Sequence, residues 1–274
     1  MTIEAWLQKA TEELKRVGIS SARLDAELIL EHTIKTPRTY IHAHGDEILD
    51  DKYRQIADAR LELRKERTPL AYLIGYKEFY GRNFKTTPAA LIPRPESETI
   101  IELLAKVIPK LLSESNRPLT LADIGTGTGC LGITAKLEWP ELNVVLSDID
   151  QQALNLAKEN ASANSAKVNL VKNDLLRSFG IQVDILVANL PYVDKKWQVS
   201  PETHSEPSLA LYADNQGLSL IYKLLDQALL WLNSGGYVLL ESDARQIPDI
   251  INYAESLGYK HLATEGLITL FTHQ

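Results

Sequence analysis

A strand that runs directly into a glycine loop is the feature that most constrains how this chain of 274 residues can fold. The apolar pattern Leu-Thr-Leu-Ala-Asp-Ile at residues 119–124 predicts a buried strand, and a helical pattern extends through Leu137. Between them lies Gly-Thr-Gly-Thr-Gly at residues 125–129. Glycines allow a sharp turn and let a ligand approach the N–H groups of a helix N-terminus. The unit therefore predicts a ligand site in an α/β fold.

Strand and helix patterns alternate after this unit. Strands are predicted at residues 144–146, 167–171, 183–188, 237–241 and 267–271, and helices at 151–164, 217–231 and 246–257. Such alternation is typical of a doubly wound, mostly parallel sheet, in which the last strand is often antiparallel. We therefore predict an α/β fold with a doubly wound, mostly parallel sheet.

Polar residues follow the predicted strands, where ligands of α/β sheets bind. Asp148 can accept both hydroxyls of a ribose, whereas Asp150 is better placed to cap the next helix. Asp174, between Asn173 and Leu175, lies where an amide or carboxylate can meet an adenine amino group. Each acid taken alone is also compatible with a simple helix cap, but polar groups at three successive strand ends favour a ligand site.

The stretch Asn-Leu-Pro-Tyr at residues 189–192 follows the apolar strand 183–188. Asn189 offers one acceptor and one donor group, so it can grip a planar amide or an aminopurine edge. Pro191 disfavours a helical Leu190 and directs the Leu190 carbonyl toward the same partner. Tyr192 can stack on the group so held. The alternative is an ordinary strand-to-loop turn.

Two other regions precede the sheet. Residues 1–67 read as three helices, which serve either as a stabilising cap or as a docking surface. Residues 68–95 read as a linker with a β-hairpin around Gly81, in which Pro93 and Pro95 hold Arg94 extended. We predict three segments, namely a helical domain at 1–67, the linker at 68–95 and the sheet domain at 96–274.

Composition excludes several classes of protein. The net charge of −7 opposes binding through phosphate neutralisation, and no apolar run approaches the roughly 20 residues of a membrane span. The single cysteine, Cys130, excludes an internal disulfide framework and fits a reducing cytoplasm, where we expect it to pack as a small side chain. His42 and His44 form the only close histidine pair and lack further ligands, so no metal site is expected.

Several motifs together resemble the release factor glutamine methyltransferase family (HemK/PrmC). The glycine spacing, with Asp123 two residues ahead, is similar to the S-adenosylmethionine loop of class I methyltransferases. The other similar blocks are residues 69–72, 79–82, 91–98 and 189–192, Glu206-Pro207 with Ala210-Leu211, and Glu241 with Gln246. Members of this family methylate the side-chain amide nitrogen (N5) of the glutamine in the Gly-Gly-Gln loop of peptide chain release factors.

The resemblance implies a Rossmann-like sheet of seven strands, S-adenosylmethionine as cofactor, a release factor as partner docked by residues 1–67, no direct nucleic acid contact, and a monomer. The expected cofactor residues are Asp123, Gly125, Thr126, Gly127, Thr128, Gly129, Asp148, Ile149, Asp174, Leu175 and Asn189. Asn189, Leu190, Pro191 and Tyr192 are expected to bind the substrate, with Asn189 and Tyr192 as catalytic residues.

The chain departs from the family pattern at three places. Leu190 stands where the family has proline, Asp243 stands where it has glycine, and residues 263–267 lack an arginine. Because the group wanted at position 190 is a main-chain carbonyl, leucine can supply it. Two alternatives stay open, an adenine-N6 nucleic-acid methyltransferase and a non-catalytic protein that binds a translation factor. No residue is assigned as a base.

Overall fold

The computed structural model describes residues 1–273, which divide into two compact units. Unit 1 comprises Met1–Tyr76 together with Val199–Ser205, and unit 2 comprises Lys77–Gln198 together with residues 206–273. No helix within the described residues has both the length and the apolar character needed to span a membrane.

Unit 1 is helical. Its helices are α1 (Ile3–Arg16), α2 (Ala22–Ile34), α3 (Arg38–Ala43), α4 (Asp51–Lys65) and α5 (Leu70–Ile74). Helix α1 begins where the Thr2 hydroxyl accepts the Ala5 N–H, and Trp6, Leu7, Ala10 and Leu14 form its buried face. The three predicted helices are confirmed. Helices α3 and α5 are additional, and α5 ends at Gly75, whose φ of 84° lies in the left-handed region.

A buried ion pair organises unit 1. Arg64 donates to Asp25 at 2.7 Å, and both side chains are buried. Arg64 also contacts Glu202 at 3.2 Å, and Arg67 reaches the same carboxylate at 3.1 Å. Since a buried charge is stable only when paired, these contacts hold residues 199–205 among the helices.

Unit 2 opens with a two-stranded hairpin, whose first strand begins at Tyr76, the last residue of the first segment of unit 1, and continues as an α/β sheet. Its strands are β1 (Tyr76–Phe79), β2 (Arg82–Lys85), β3 (Thr120–Ile124), β4 (Asn143–Asp148), β5 (Asn169–Lys172), β6 (Val183–Ala188), β7 (Leu232–Glu241), β8 (Tyr259–Glu265) and β9 (Ile268–His273). Its helices are α6 (Glu98–Glu114), α7 (Cys130–Glu138), α8 (Gln151–Ala163), α9 (Ser219–Trp231) and α10 (Ile247–Ser256).

Seven strands form one sheet in the order β5-β4-β3-β6-β7-β9-β8. Strands β3 to β7 are parallel, and β9 is antiparallel to both of its neighbours. The predicted doubly wound fold is confirmed, with β8 as a seventh strand at the sheet edge that sequence patterns did not locate. The chain starts in the middle at β3, runs outward to β5 and returns at β6. Ligands bind at such a reversal of strand order, so a ligand site is expected at the ends of β3, β4 and β6.

Strand β6 is buried along its whole length, as its apolar sequence predicts. Its one charged residue, Asp184, accepts hydrogen bonds from the Arg117 guanidinium, the Thr120 N–H and the Asn233 amide. Burial opposes ionisation, yet these donors hold the pKa of Asp184 below its ordinary value. The carboxylate therefore ties β6 to the beginning of β3 and to β7.

Candidate active site

At two positions of the glycine loop, an added side chain would collide with a neighbouring side chain unless that neighbour moved. Gly125, Gly127 and Gly129 all have positive φ angles, which favour glycine. A Cβ atom on Gly125 would lie 2.8 Å from Leu190 Cδ2, and one on Gly129 would lie 2.7 Å from Ile133 Cδ1. The N–H groups of Gly125 and Thr126 donate to the Ser147 carbonyl, so the loop is fixed to β4.

Asp123 lies beneath this loop. Its Oδ2 atom accepts the Thr126 hydroxyl at 2.7 Å and the Gly132 N–H at 2.9 Å, and burial raises its pKa to about 6. The carboxylate thus joins the loop to helix α7. Two cavities adjoin the glycine loop, and Asp123, Gly129 and Tyr192 line neither of them.

Two cavities lie on either side of the glycine loop. The larger, of about 830 Å³, and the smaller, of about 370 Å³, share Leu91, Gly125, Gly127 and Asn189 as lining residues. The other predicted residues that line the larger cavity are Asp148, Ile149, Asp174, Leu175, Leu190 and Pro191. Thr126 and Thr128 line the smaller one.

The end of β4 presents Asp148. Its two carboxylate oxygens accept the Gly127 N–H at 3.0 Å and the Asp150 N–H at 2.9 Å, while burial raises its pKa. The Asp150 side chain accepts the Gln152 N–H at the start of α8, which confirms the prediction that this residue is a cap. Ile149 between them is half exposed at the cavity.

The end of β5 presents an unpaired donor. Nδ2 of Asn173 is buried, and within residues 1–273 it has no hydrogen-bond partner. Its neighbour Asp174 forms an ion pair with Lys223 at 2.9 Å, and Leu175 has a φ of 53°, unusual for a residue with a side chain. Because an unpaired buried donor costs free energy, the Asn173 amide at the cavity wall points to an acceptor on a ligand.

The end of β6 presents two unpaired acceptors. Asn189 donates from Nδ2 to Ser97 Oγ at 3.0 Å. Among the hydrogen bonds of residues 1–273, none is accepted by Asn189 Oδ1 or by the Leu190 carbonyl. Both residues line the larger cavity. Two neighbouring carbonyl oxygens are therefore available to a group that carries two N–H bonds.

Gln246 and Gly217 hold the chain just after these acceptors. The buried Gln246 amide donates to the carbonyls of Tyr192 at 2.8 Å and Gln216 at 2.7 Å. A Cβ atom on Gly217 would lie 1.9 Å from the Tyr192 carbonyl oxygen. The family resemblance includes Gln246 but assigns it no role. No local sequence signal indicates the role of Gly217. Asp243 has no positive φ, so its backbone does not require the glycine of the family pattern.

Glu206 joins two walls of the site. Its buried carboxylate accepts the Ile92 N–H at 3.1 Å and the Arg94 guanidinium at 2.5 Å. Arg94 is extended, as its flanking prolines predict. The contact places residues 91–94 beside residues 207–210, and members of both segments line the larger cavity.

The sheet order, the glycine loop and the polar residues at the strand ends define a class I, Rossmann-like methyltransferase fold. A crystal structure of a methyltransferase from Pyrococcus furiosus has the same fold, with a TM-score of 0.51 at 21% identity over 78% of this chain and 96% of that one. Family profiles described as the PrmC N-terminal domain and the methyltransferase small domain match residues 5–75 and 99–206.

Two relatives identify the family. The release factor glutamine methyltransferase of Deinococcus radiodurans is 34% identical, over 95% of this chain and 92% of its own length. That of Escherichia coli K12 is 32% identical, over 90% and 87%. The chain therefore belongs to the release factor glutamine methyltransferase family, as its motifs predict.

Replacement of Gly217 by alanine is expected to destabilise unit 2 by much more than the backbone strain alone. Gly235 is the matched control, since its φ of 77° is similar but nothing lies within 4 Å of an added Cβ. We expect about 1 kcal/mol for Gly235→Ala and at least about 3 kcal/mol for Gly217→Ala, measured by urea unfolding. Equal losses would contradict the steric role of Gly217.

Asp123 is expected to make stability depend on pH. Its folded pKa of about 6 exceeds the ordinary value of 3.8, so the folded state binds this proton more tightly. The resulting stabilisation is complete below the ordinary pKa and disappears as the pH rises through 6. Relative to Asp123→Asn, the native protein should lose about 2 kcal/mol of unfolding free energy between pH 4.5 and pH 8. A difference that stays constant with pH would refute this.

Proposed function

We propose that this protein transfers a methyl group from S-adenosylmethionine to the side-chain amide nitrogen of the glutamine in the Gly-Gly-Gln motif of peptide chain release factors. One observation carries the chemistry: Asn189 Oδ1 and the Leu190 carbonyl lack partners within residues 1–273 and adjoin the cavity at the glycine loop. The names of the two relatives support the substrate. They do not support the alternatives, an adenine-N6 methyltransferase and a non-catalytic binding protein.

The residues around the larger cavity fit S-adenosylmethionine. Asp148 would accept ribose hydroxyls, the unpaired Asn173 amide would donate to the base, and Ile149 with Leu175 would contact its faces. Glycines at positions 125 and 127 would let the ligand approach the backbone. When bound, this cofactor supplies an electrophilic methyl group on a sulfonium centre.

The amide nitrogen of a glutamine is a weak nucleophile because its lone pair is delocalised into the carbonyl. Asn189 Oδ1 and the Leu190 carbonyl would each accept one of its two N–H bonds. Acceptors in these positions favour the positive charge that builds on nitrogen during attack, and they orient the nitrogen. The nitrogen then loses one proton to water, and S-adenosylhomocysteine is the other product. Two acceptors at a fixed separation also select a primary amide over a hydroxyl, which has a single proton to donate.

Leucine at position 190 is compatible with this role. The buried Leu190 side chain contacts the glycine loop, where a Cβ atom on Gly125 would collide with it. Its main-chain carbonyl serves as the proline carbonyl of the family pattern would. The packing of the side chain thus replaces the rigidity of the proline ring.

The partner in this proposal is the release factor itself. We propose that residues 1–67, most of which match the PrmC N-terminal domain, dock that partner. We further propose a monomer that works in the cytoplasm, without direct contact to nucleic acid.

Mass spectrometry of a release factor incubated with the protein and S-adenosylmethionine tests the proposal. We expect a gain of one methyl group on the Gly-Gly-Gln peptide, and none when the glutamine is replaced by alanine. Asn189→Ala should lower kcat by a factor of about 100 or more, because one acceptor is lost, while affinity for the cofactor changes only a few-fold.

Asn155→Ala is the matched control, because within residues 1–273 the side chain of this exposed asparagine on α8 forms a hydrogen bond only with Gln151. Its kcat should equal that of the native protein. Turnover by Asn189→Ala within a few-fold of the native value would disprove the role of Asn189. Absence of methylation by the native protein would disprove the function.

A further inference from the structure

Resting on the proposed function, we infer that Ser97 and Glu241 are positioning residues that determine which end of the Asn189 amide faces the substrate. Ser97 lines the smaller cavity and Glu241 lines neither cavity, and both act through Asn189. The family profiles and the names of the relatives assign them no role.

The three residues form a continuous chain of hydrogen bonds. Asn189 Nδ2 donates to Ser97 Oγ at 3.0 Å, and the Ser97 hydroxyl donates to Glu241 Oε2 at 2.5 Å. The other carboxylate oxygen, Oε1, accepts the Tyr192 hydroxyl at 3.2 Å. Ser97 and Glu241 are 2% and 1% exposed, so water does not compete for these bonds. The chain joins the end of β6 to the last residue of β7 and to the turn before α6.

The direction of the chain follows from counting protons. A hydroxyl has one proton, and an ionised carboxylate only accepts. Glu241 therefore accepts the hydrogen bond from the Ser97 hydroxyl. Toward Asn189, Ser97 Oγ can then act only as an acceptor. Only the NH₂ end of the Asn189 amide can meet those lone pairs. The carbonyl end must then point away from Ser97, where it is available to a substrate N–H.

A flipped Asn189 amide would be wrong for the proposed reaction. Its carbonyl would face the lone pairs of Ser97, and its NH₂ group would face the NH₂ group of the substrate. Two donors would then oppose each other where one donor and one acceptor are needed. The chain excludes this state through the orientation of Asn189.

Packing alone does not account for these polar groups. Burial raises the pKa of Glu241, and Glu96 raises it further, against the hydrogen bonds from Ser97 and Tyr192. Keeping a carboxylate ionised in such a place costs free energy that an apolar side chain would not. The need to orient the Asn189 amide explains why a carboxylate is buried at position 241.

The test compares two buried serines. Ser97→Ala removes the acceptor of Asn189 Nδ2. Ser242→Ala is the matched control, because the Ser242 hydroxyl adjoins Glu241 in sequence, is buried, and lacks a hydrogen-bond partner within residues 1–273. We expect Ser97→Ala to lower kcat on a release factor by roughly 10- to 100-fold, as misplacement of a reacting group does. Affinity for S-adenosylmethionine should change less than three-fold, and Ser242→Ala should keep the native kcat.

Glu241→Gln tests the direction of the chain more sharply. The NH₂ group of the new glutamine can donate to Ser97 Oγ. The Ser97 hydroxyl can then donate to the side-chain carbonyl of a flipped Asn189 amide, which stabilises the flipped state. We expect a loss in kcat at least as large as that of Ser97→Ala. In an Asn189→Ala background, Ser97→Ala should have no further effect, because its action depends on Asn189.

A readout without turnover separates this inference from the proposed function. The side-chain NH₂ signals of Asn189 in an NMR spectrum, assigned by their loss in Asn189→Ala, should show hydrogen exchange that speeds up in Ser97→Ala but not in Ser242→Ala. Unchanged exchange in Ser97→Ala would overturn the inference even if the native protein methylates release factors. An equal effect of Ser97→Ala with and without Asn189 would also overturn it. If the native protein fails to methylate, the exchange result still decides the orientation.

Discussion

The close approach of two loops at the end of the sheet is the constraint on which the site depends. Strands β3 and β6 are parallel neighbours, with Ile124 opposite Ala188, so the loops that leave them must pass each other. They can do so because Gly125 has no side chain where Leu190 packs. On the far side, Gly217 has no side chain where the Tyr192 carbonyl passes. Residues 189–192 are thus confined between two glycines, and the position of both free carbonyls follows from the backbone.

Buried carboxylates then fasten the loops to the sheet. Asp123 joins the glycine loop to α7, and Glu206 joins residues 91–94 to residues 207–210. Glu241 joins the ends of β6 and β7 through Ser97 and Tyr192. Each carboxylate is costly to bury, and hydrogen bonds offset this cost. The donors are close in sequence for Asp123 and come from distant segments for Glu206 and Glu241. This arrangement holds several loops in one geometry, which the proposed presentation of two acceptors at a fixed spacing requires.

The parts of the site that were predictable are those whose signal is local. The glycine loop, Asp148 and residues 189–192 each lie directly after a strand pattern, and the parallel sheet brings strand ends together. The capping role of Asp150 was predictable because it involves a residue only two positions away. The edge strand β8 was missed because its exposed and half-buried residues carry no strong apolar pattern, and α5 was missed because it is a single short turn before a hairpin.

The sequence by itself determined the class of fold, the family and the segment that carries the two acceptors, because strand periodicity and short motifs are properties of neighbouring residues. Only the tertiary structure decided that Ser97, Asn189 and Glu241 form one chain of hydrogen bonds. It also decided that position 217 has no space for a Cβ atom beside the Tyr192 carbonyl, and that Asn173 Nδ2 has no hydrogen-bond partner within residues 1–273. These relations join residues 25 to 144 positions apart, or depend on the absence of a partner. Such facts arise when distant strands pack, since hydrogen bonds and excluded volume act through space and leave no periodic trace along the chain.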